Sequence, residues 1–297
     1  MSDATDIAQR LRDSTNPTFL RSLGFHEDDV NDTQQAISRA LAAPARLADI
    51  ATLTQRVRAN IGHFDIEQGP FDGPIASDRW GGIGVIPLLS LIAAVPDVTS
   101  FHTSRGVPSH ISRKTLADIG QQAWVHRRTF GEFGLHTYKW MLTSYSGSLY
   151  WLGRLQFEIK NESDAWLLSV HIPETGPLTP EHVDASFSEA ERFFPAQFGD
   201  YPITAFFCES WLLDPTLSRV LPDSSNMARF QRRWNLRDFC RSGDEDAIFF
   251  VFRKRNTVDL QVLPRATTLQ RAVIDRLEAG EHWSVRAGTI PFSPATL

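Results

Sequence analysis

The chain has 297 residues, 42% of them hydrophobic and 22% charged, with a formal net charge of -5. That length holds one large domain or two ordinary ones, and the composition is that of a globular protein. The mild acidity argues against nucleic acid as the main partner, and two cysteines without a CxxC pair leave zinc-ribbon, redox-motif and disulfide-framework readings without support.

Taken from the N-terminus, the opening stretch MSDATDIAQRLRD is polar and lacks an apolar signal core. With only two cysteines, a reducing cytoplasm is the expected compartment. Residues 34 to 43 read as a helix. In ARLADIATLTQRVRANIG, Leu47, Ile50, Leu53, Val57 and Ile61 recur at spacings of three and four, which makes one apolar helical face. The Gly- and Pro-rich stretch over 66–82 is a loop, either a plain connection or a lid facing substrate. GVIPLLSLIAAV, residues 84 to 95, is the most apolar run. It is too short to span a bilayer and contains Pro87, so it reads as a buried helix, and no membrane partner is expected. Residues 112 to 130 read as a further helix, with Ser112 as its cap.

Near residue 145 the pattern changes. SGSLYWLGRLQFEIKNESDAWLLSVHIP reads as two strands around a KNES turn. ITAFFCESWLL, LRDFC, DAIFFVFRK and a segment near WSVRAGTIPF are further strand candidates. Helices are expected over 180–194, 215–233 and 266–279. Strands interleaved with helices predict an α+β fold with a mixed sheet.

The strand WLLSVHI alternates between two faces: Trp166, Leu168, Val170 and Ile172 on one, Leu167, Ser169 and His171 on the other. Pro173 suits a strand end. Thr179 reads as an N-cap with Pro180 at the first helical position, and Val183, Phe187, Ala190 and Phe194 form the apolar face that follows. Strand, turn and helix N-terminus therefore succeed one another within about twenty residues. A helix start attracts phosphate, although Glu174 and Glu181 oppose an anion there.

Four blocks, GRLQFE, LSVHIPETGPLTPEHVDASFSEA, FFCESWLLDPTLSRVLPDSSNMARFQRRW and LPRATTLQRAVIDRL, resemble a bacterial family of GNAT-like N-acyltransferases. Upstream, RGVPSHISRKTLADIGQQ and GLHTYKWMLTSYSGSLYWLGRLQFE resemble the N-terminal domain of the same proteins. The resemblance runs from about residue 100 to the end. It implies a helical N-terminal domain over 1–147 and a GNAT-like domain with flanking helices over 148–297; the loop-rich stretch over 66–82 beside the apolar helical half points to a cleft shared by the two. It also implies transfer of an acyl group from acetyl-CoA or another acyl-CoA to the amine of a small molecule or peptide. In that layout residues 166–172 form a strand splayed from 203–210. Backbone near Val170 and Ile172 meets the pantetheine arm, and Glu174 to Thr179, with Gly176 as its flexible point, receives the pyrophosphate. The pattern Q/R-x-x-G-x-G/A usual in that loop is absent from ETGPLTPEHV. The alternative is a non-catalytic binding or regulatory module that keeps the fold.

Amine acylation needs a base for the ammonium proton. His171 fits, because histidine exchanges protons near neutral pH; its other reading is a hydrogen-bonded residue at a strand end. Glu209, beside Phe207 and Trp211, is the second candidate base, or else the partner of an arginine. Cys208 is either a nucleophile or a buried small hydrophobe. Ser210 and Tyr201 are weaker hydroxyl candidates. Ser224, Ser225 and Asn226, ahead of Arg229, Arg232 and Arg233, either face CoA phosphates or cap a solvated basic helix. The nine histidines show no paired ligand spacing, so no metal is expected.

Overall fold

The computed structural model describes residues 3–64, 82–255 and 258–294. The stretch over 66–81, expected to be a loop, lies outside the described residues. The chain divides into two compact units, Met1–Trp151 and Leu152–Leu297.

Among its described residues up to Ser146, where β1 has yet to begin, the first unit is helical: α1 (Asp3–Asp13), α2 (Pro17–Ser22), α3 (Glu27–Leu41), α4 (Pro44–Ala59), α5 (Val85–Ser104), α6 (Ser109–Leu116), α7 (Asp118–Phe130) and α8 (Tyr138–Ser146). The expected helix over 34–43 begins earlier, because Glu27, Asp28 and Asp29 place negative charge on its first turn. In α4, Ile50 and Val57 are buried, and Leu47, Leu53 and Ile61 pack partly buried on the same core. The apolar run at 84–95 extends into the twenty-residue α5. This is the one helix among the described residues long and apolar enough to cross a membrane, yet 72% of that window is buried inside the protein. Its Leu88, Leu91 and Ile92 belong to the same buried core as Met141 and Tyr145 of α8.

The helix expected over 112–130 is two helices that meet at Ala117. Ser112 is not a cap. It lies buried inside α6, with its hydroxyl 2.8 Å from His102 Nδ1. On α7, Gly120 packs backbone to backbone: its N–H donates to the Leu23 carbonyl, and a Cβ there would strike Gly24 and Phe25.

The remaining strands and helices are β1 (Leu149–Leu152), β2 (Leu155–Glu162), β3 (Ala165–His171), α9 (Pro180–Phe198), β4 (Ile203–Ser210), α10 (Leu217–Val220), α11 (Asn226–Gln231), β5 (Asn235–Ser242), α12 (Asp244–Phe252), α13 (Thr268–Glu278) and β6 (Ser284–Pro291). The sheet order is β1-β2-β3-β4-β6-β5. Strands β2 and β3 form an antiparallel hairpin, β3 and β4 run parallel, and β6 is antiparallel to both β4 and β5. A parallel pair needs a crossover, which α9 supplies. One sheet face carries Phe157 and Phe206, which meet Phe187 and Phe194 of α9. The other face holds a small cluster of Leu167, Phe207 and Ala287, with Lys160 and Arg237 each 5.6 Å from the Phe207 ring.

Three expectations are corrected. SGSLYWLGRLQFEIK holds two strands rather than one, and the β2–β3 turn lies later than expected: Lys160, Asn161 and Glu162 of KNES still belong to β2, and the turn falls on its last residue, Ser163, and on Asp164, both at positive φ. The expected helix at 215–233 is interrupted at Leu221, because the following Pro222 disfavours helical backbone there. DAIFFVFRK is not a strand: α12 forms instead, with Asp244, Glu245 and Asp246 on its first turn stabilising a helix start.

Candidate active site

The parallel pairing of β3 with β4 stops early. Its last partners are Ser169 and Phe207, although β3 runs on to His171 and β4 to Ser210. Beyond that point each strand keeps only its outer neighbour. Val170 and His171 pair with Phe157 and Gln156 of β2, while Cys208, Glu209 and Ser210 pair with Gly288, Ala287 and Arg286 of β6. The two strands part, and the facing backbone groups are left out of the ladder.

His171 sits at the edge of this opening. Its Nε2 is 2.8 Å from Glu158 Oε2, one strand away on the same sheet face. Both side chains are partly exposed, at 28% and 20%. A neutral imidazole facing a carboxylate donates from Nε2, which leaves the lone pair on Nδ1. Directly across from His171 lies Gln156, which is 2% exposed and whose Nε2 has no hydrogen-bond partner among the described residues. Glu209 stands on β4, the other wall of the opening. Its Oε1 accepts from Arg241 Nε at 3.0 Å, and the same guanidinium reaches Asp246 at 2.8 Å. Cys208 points away from this chemistry. It is fully buried, burial pushes its thiol pKa up, and a thiol held protonated is a poor nucleophile.

Val170 is buried and Ile172 half-buried where β3 gives way to the loop. Gly176 takes φ +62 with open space around its Cα, a backbone state that favours glycine. Thr179 caps α9, its hydroxyl accepting from the His182 N–H at 3.4 Å, with Pro180 at the first helical position. Glu181 also bears on this helix start. Its own backbone N–H and the Thr179 side chain hold its carboxyl below the usual range.

Two arginines brace the loop. Arg154, in the β1–β2 turn, donates to the carbonyls of Pro173 at 2.9 Å, Gly176 at 3.0 Å and Pro177 at 3.3 Å. Arg253, just after α12, pairs with Glu174 at 2.6 Å. The basic residues near α11 are largely committed elsewhere: Arg232 pairs with Asp223 and Arg233 with Asp184. Ser225 is the α11 N-cap residue, without a side-chain bond to the helix. Ser210 Oγ accepts from the Leu212 N–H at 3.1 Å, and Tyr201 packs edge-on to Trp166.

Sequence reasoning missed Glu158, Arg154 and Arg253. Glu158 is legible once the hairpin turn is placed on Ser163 and Asp164, because that register sets it diagonal to His171. The two arginines carry no local signal, since their partners lie 19 to 79 residues away. Among the described residues no group of three or more His, Cys, Asp or Glu is placed to hold a metal.

Comparison with known proteins follows the same division of the chain. Residues 14–147 match the N-acyltransferase N-terminal domain, and residues 149–290 match the GNAT-like C-terminal domain. Among solved structures, the chain is similar to an acyltransferase variant crystallised with octanoyl-CoA, at 31% identity and TM-score 0.85, over 93% of this chain and 87% of that one. It is similar to an acyltransferase in complex with CoA and 10C-teicoplanin, at 30% identity and TM-score 0.82 over the same shares. A third, an acyltransferase with decanoyl-CoA, is 27% identical at TM-score 0.82, over 98% of this chain and 99% of that one. No curated protein matches. Two domain matches that together run from residue 14 to 290, and a likeness in structure that extends over nearly the whole chain, lead to one conclusion: the chain belongs to the GNAT-like N-acyltransferase family.

Proposed function

We propose that the chain transfers an acyl group from acyl-CoA to the amine of a small-molecule or peptide acceptor. The observation that carries this reading is the early end of β3–β4 pairing at Ser169 and Phe207. Two strands that part within a sheet present unpaired N–H and C=O groups, and an amide-bearing chain such as pantetheine completes the ladder between them. The similar structures crystallised with octanoyl-CoA and decanoyl-CoA support the donor class, and those with teicoplanin support an amine on a peptide scaffold as acceptor. The helical half over 1–147 is read as the acceptor-shaping domain and 148–297 as the donor-binding domain. Both thiols are free, which suits a cytoplasmic setting.

In this reading Val170, Ile172, Gly176 and Thr179 line the donor, and His171 and Glu209 flank the reacting atoms. His171 Nδ1 takes the proton of the acceptor ammonium, while Glu158 on Nε2 stabilises the imidazolium that forms. The amine nitrogen forms a bond to the thioester carbonyl carbon, the C–S bond then breaks, and the released proton passes to the CoA thiolate. Amide and free CoA are the products. Glu209, across the opening, draws the cationic acceptor towards the donor. The test is release of CoA from octanoyl-CoA in the presence and absence of a panel of amines that includes a glycopeptide, followed by chromatography. Amine-dependent release that falls at least about a hundredfold in His171→Asn is expected. Binding of CoA without release for any amine would favour the non-catalytic module. Absence of CoA binding would remove the donor assignment altogether.

A further inference from the structure

The loop after β3 has one glycine, Gly176, in place of the pair in Q/R-x-x-G-x-G/A, and the side chain of Glu181 already bears on its helix start. Cationic side chains therefore have to supply what the backbone does not. The end of α12 offers them. Arg253 and Arg255 share one aromatic ring: their guanidinium carbons lie 5.1 Å and 3.6 Å from the centroid of Phe249. Packing against the ring restricts both side chains, and a planar fork suits bidentate phosphate recognition. Arg253 is 8% exposed and bonded to Glu174 in the loop itself. Arg255 is exposed and makes no ion pair among the described residues; Glu245 and Asp246 on the same helix act on it only through space. Backbone geometry adds a second observation. Arg253 occupies the left-handed position that ends α12, at φ 54 and ψ 42, where glycine is the residue of least conformational cost.

Resting on the acyl-CoA reading above, we infer that Arg253 and Arg255 hold a phosphate group of the donor, and that Glu174 occupies Arg253 until that phosphate replaces it. Glu174 is a monoanion at the mouth of the loop and 39% exposed, so water can solvate its carboxylate once a phosphate takes its place on Arg253. A phosphate brings more charge and bridges both guanidinium groups, which makes the exchange favourable. The pair keeps a buried cation satisfied while no donor is bound, and it costs the donor one ion pair on arrival.

The test is calorimetric titration of the full chain with CoA and with dephospho-CoA, alongside turnover of an N-acetylcysteamine thioester, which has no phosphate. Glu174→Gln is expected to tighten CoA binding about fivefold. Arg255→Gln and Arg253→Gln are expected to weaken it about tenfold or more. Neither effect should appear with the phosphate-free thioester. An arginine effect that vanishes with dephospho-CoA assigns the 3′-phosphate, and one that persists assigns the diphosphate. If Arg253→Gln fails to fold, the two exposed positions still decide. CoA affinity unchanged within twofold in both Glu174→Gln and Arg255→Gln overturns the inference while leaving the transferase reading intact. A wild-type chain that binds no CoA removes that reading and this one together.

Discussion

At the scale of single residues, the Glu158–His171 pair separates a positioning role from a packing role. Glu158→Gln keeps the shape and a hydrogen bond but removes the charge that stabilises an imidazolium. The expected outcome is a loss of about tenfold to a hundredfold in kcat with little change in KM for the donor, and an altered pH profile that a merely structural side chain would leave alone. The two cysteines offer a second check. In the native protein a thiol reagent should label Cys240, which is exposed, and spare Cys208, which is buried with its pKa pushed up. Labelling of two thiols without denaturant would contradict the placement of Cys208 in the sheet. His102 and His126 give a third. Burial lowers each to about 4 from an ordinary value of 6.5. The unfolded chain takes up protons on both imidazoles below about pH 6.5, and the folded chain does so only near 4. Their neutral burial is therefore compatible with full stability above that window, and stability falls as the pH drops through it. Thermal melts between pH 7 and 4 should show this decline, and His102→Gln should shallow it.

At the scale of elements, the strands that build the opening were legible and their exact register was not. Alternation along WLLSVHI and the run ITAFFCES marked β3 and β4, and Thr179 followed by Pro180 marked the start of α9. The hairpin turn was misplaced because KNES offers Asn161 as a turn former. The chain keeps Asn161 in β2 and turns on Ser163, the end of that stretch, and Asp164, two residues at positive φ. That shift changes which β2 side chain meets His171, so Glu158 could not be named beforehand. The segment DAIFFVFRK misled for another reason: a short apolar run fits a buried strand and a buried helix alike, and only its acidic first turn decides. Two substitutions test elements. Gly176→Ala finds open space but takes on a left-handed backbone, at a cost of about 1 kcal/mol. It should fold and bind CoA more weakly if the donor passes close to that backbone; unchanged affinity would remove Gly176 from the donor site. Gly120→Ala has no such room. The clash with Gly24 and Phe25 should destabilise the helical unit by about 1–3 kcal/mol, read as a lowered midpoint in urea.

At the scale of the whole molecule, the division into a helical half and a sheet half followed from a change of periodicity near residue 145, and both halves match domains of one family. A ligand that binds only the folded state raises the apparent melting temperature, so CoA at a hundred times its Kd should add about 2.7 kcal/mol to stability. The opening between β3 and β4 also bears on how such a protein changes over time. If the donor is gripped by main-chain groups along the parted strands, every amino acid supplies the same grip, and substitution there cannot easily remove it. Side chains on both strands are then at liberty to vary. A lineage built this way can exchange one acceptor for another by altering side chains around the opening, while its claim on the common donor is inherited through the shape of the sheet.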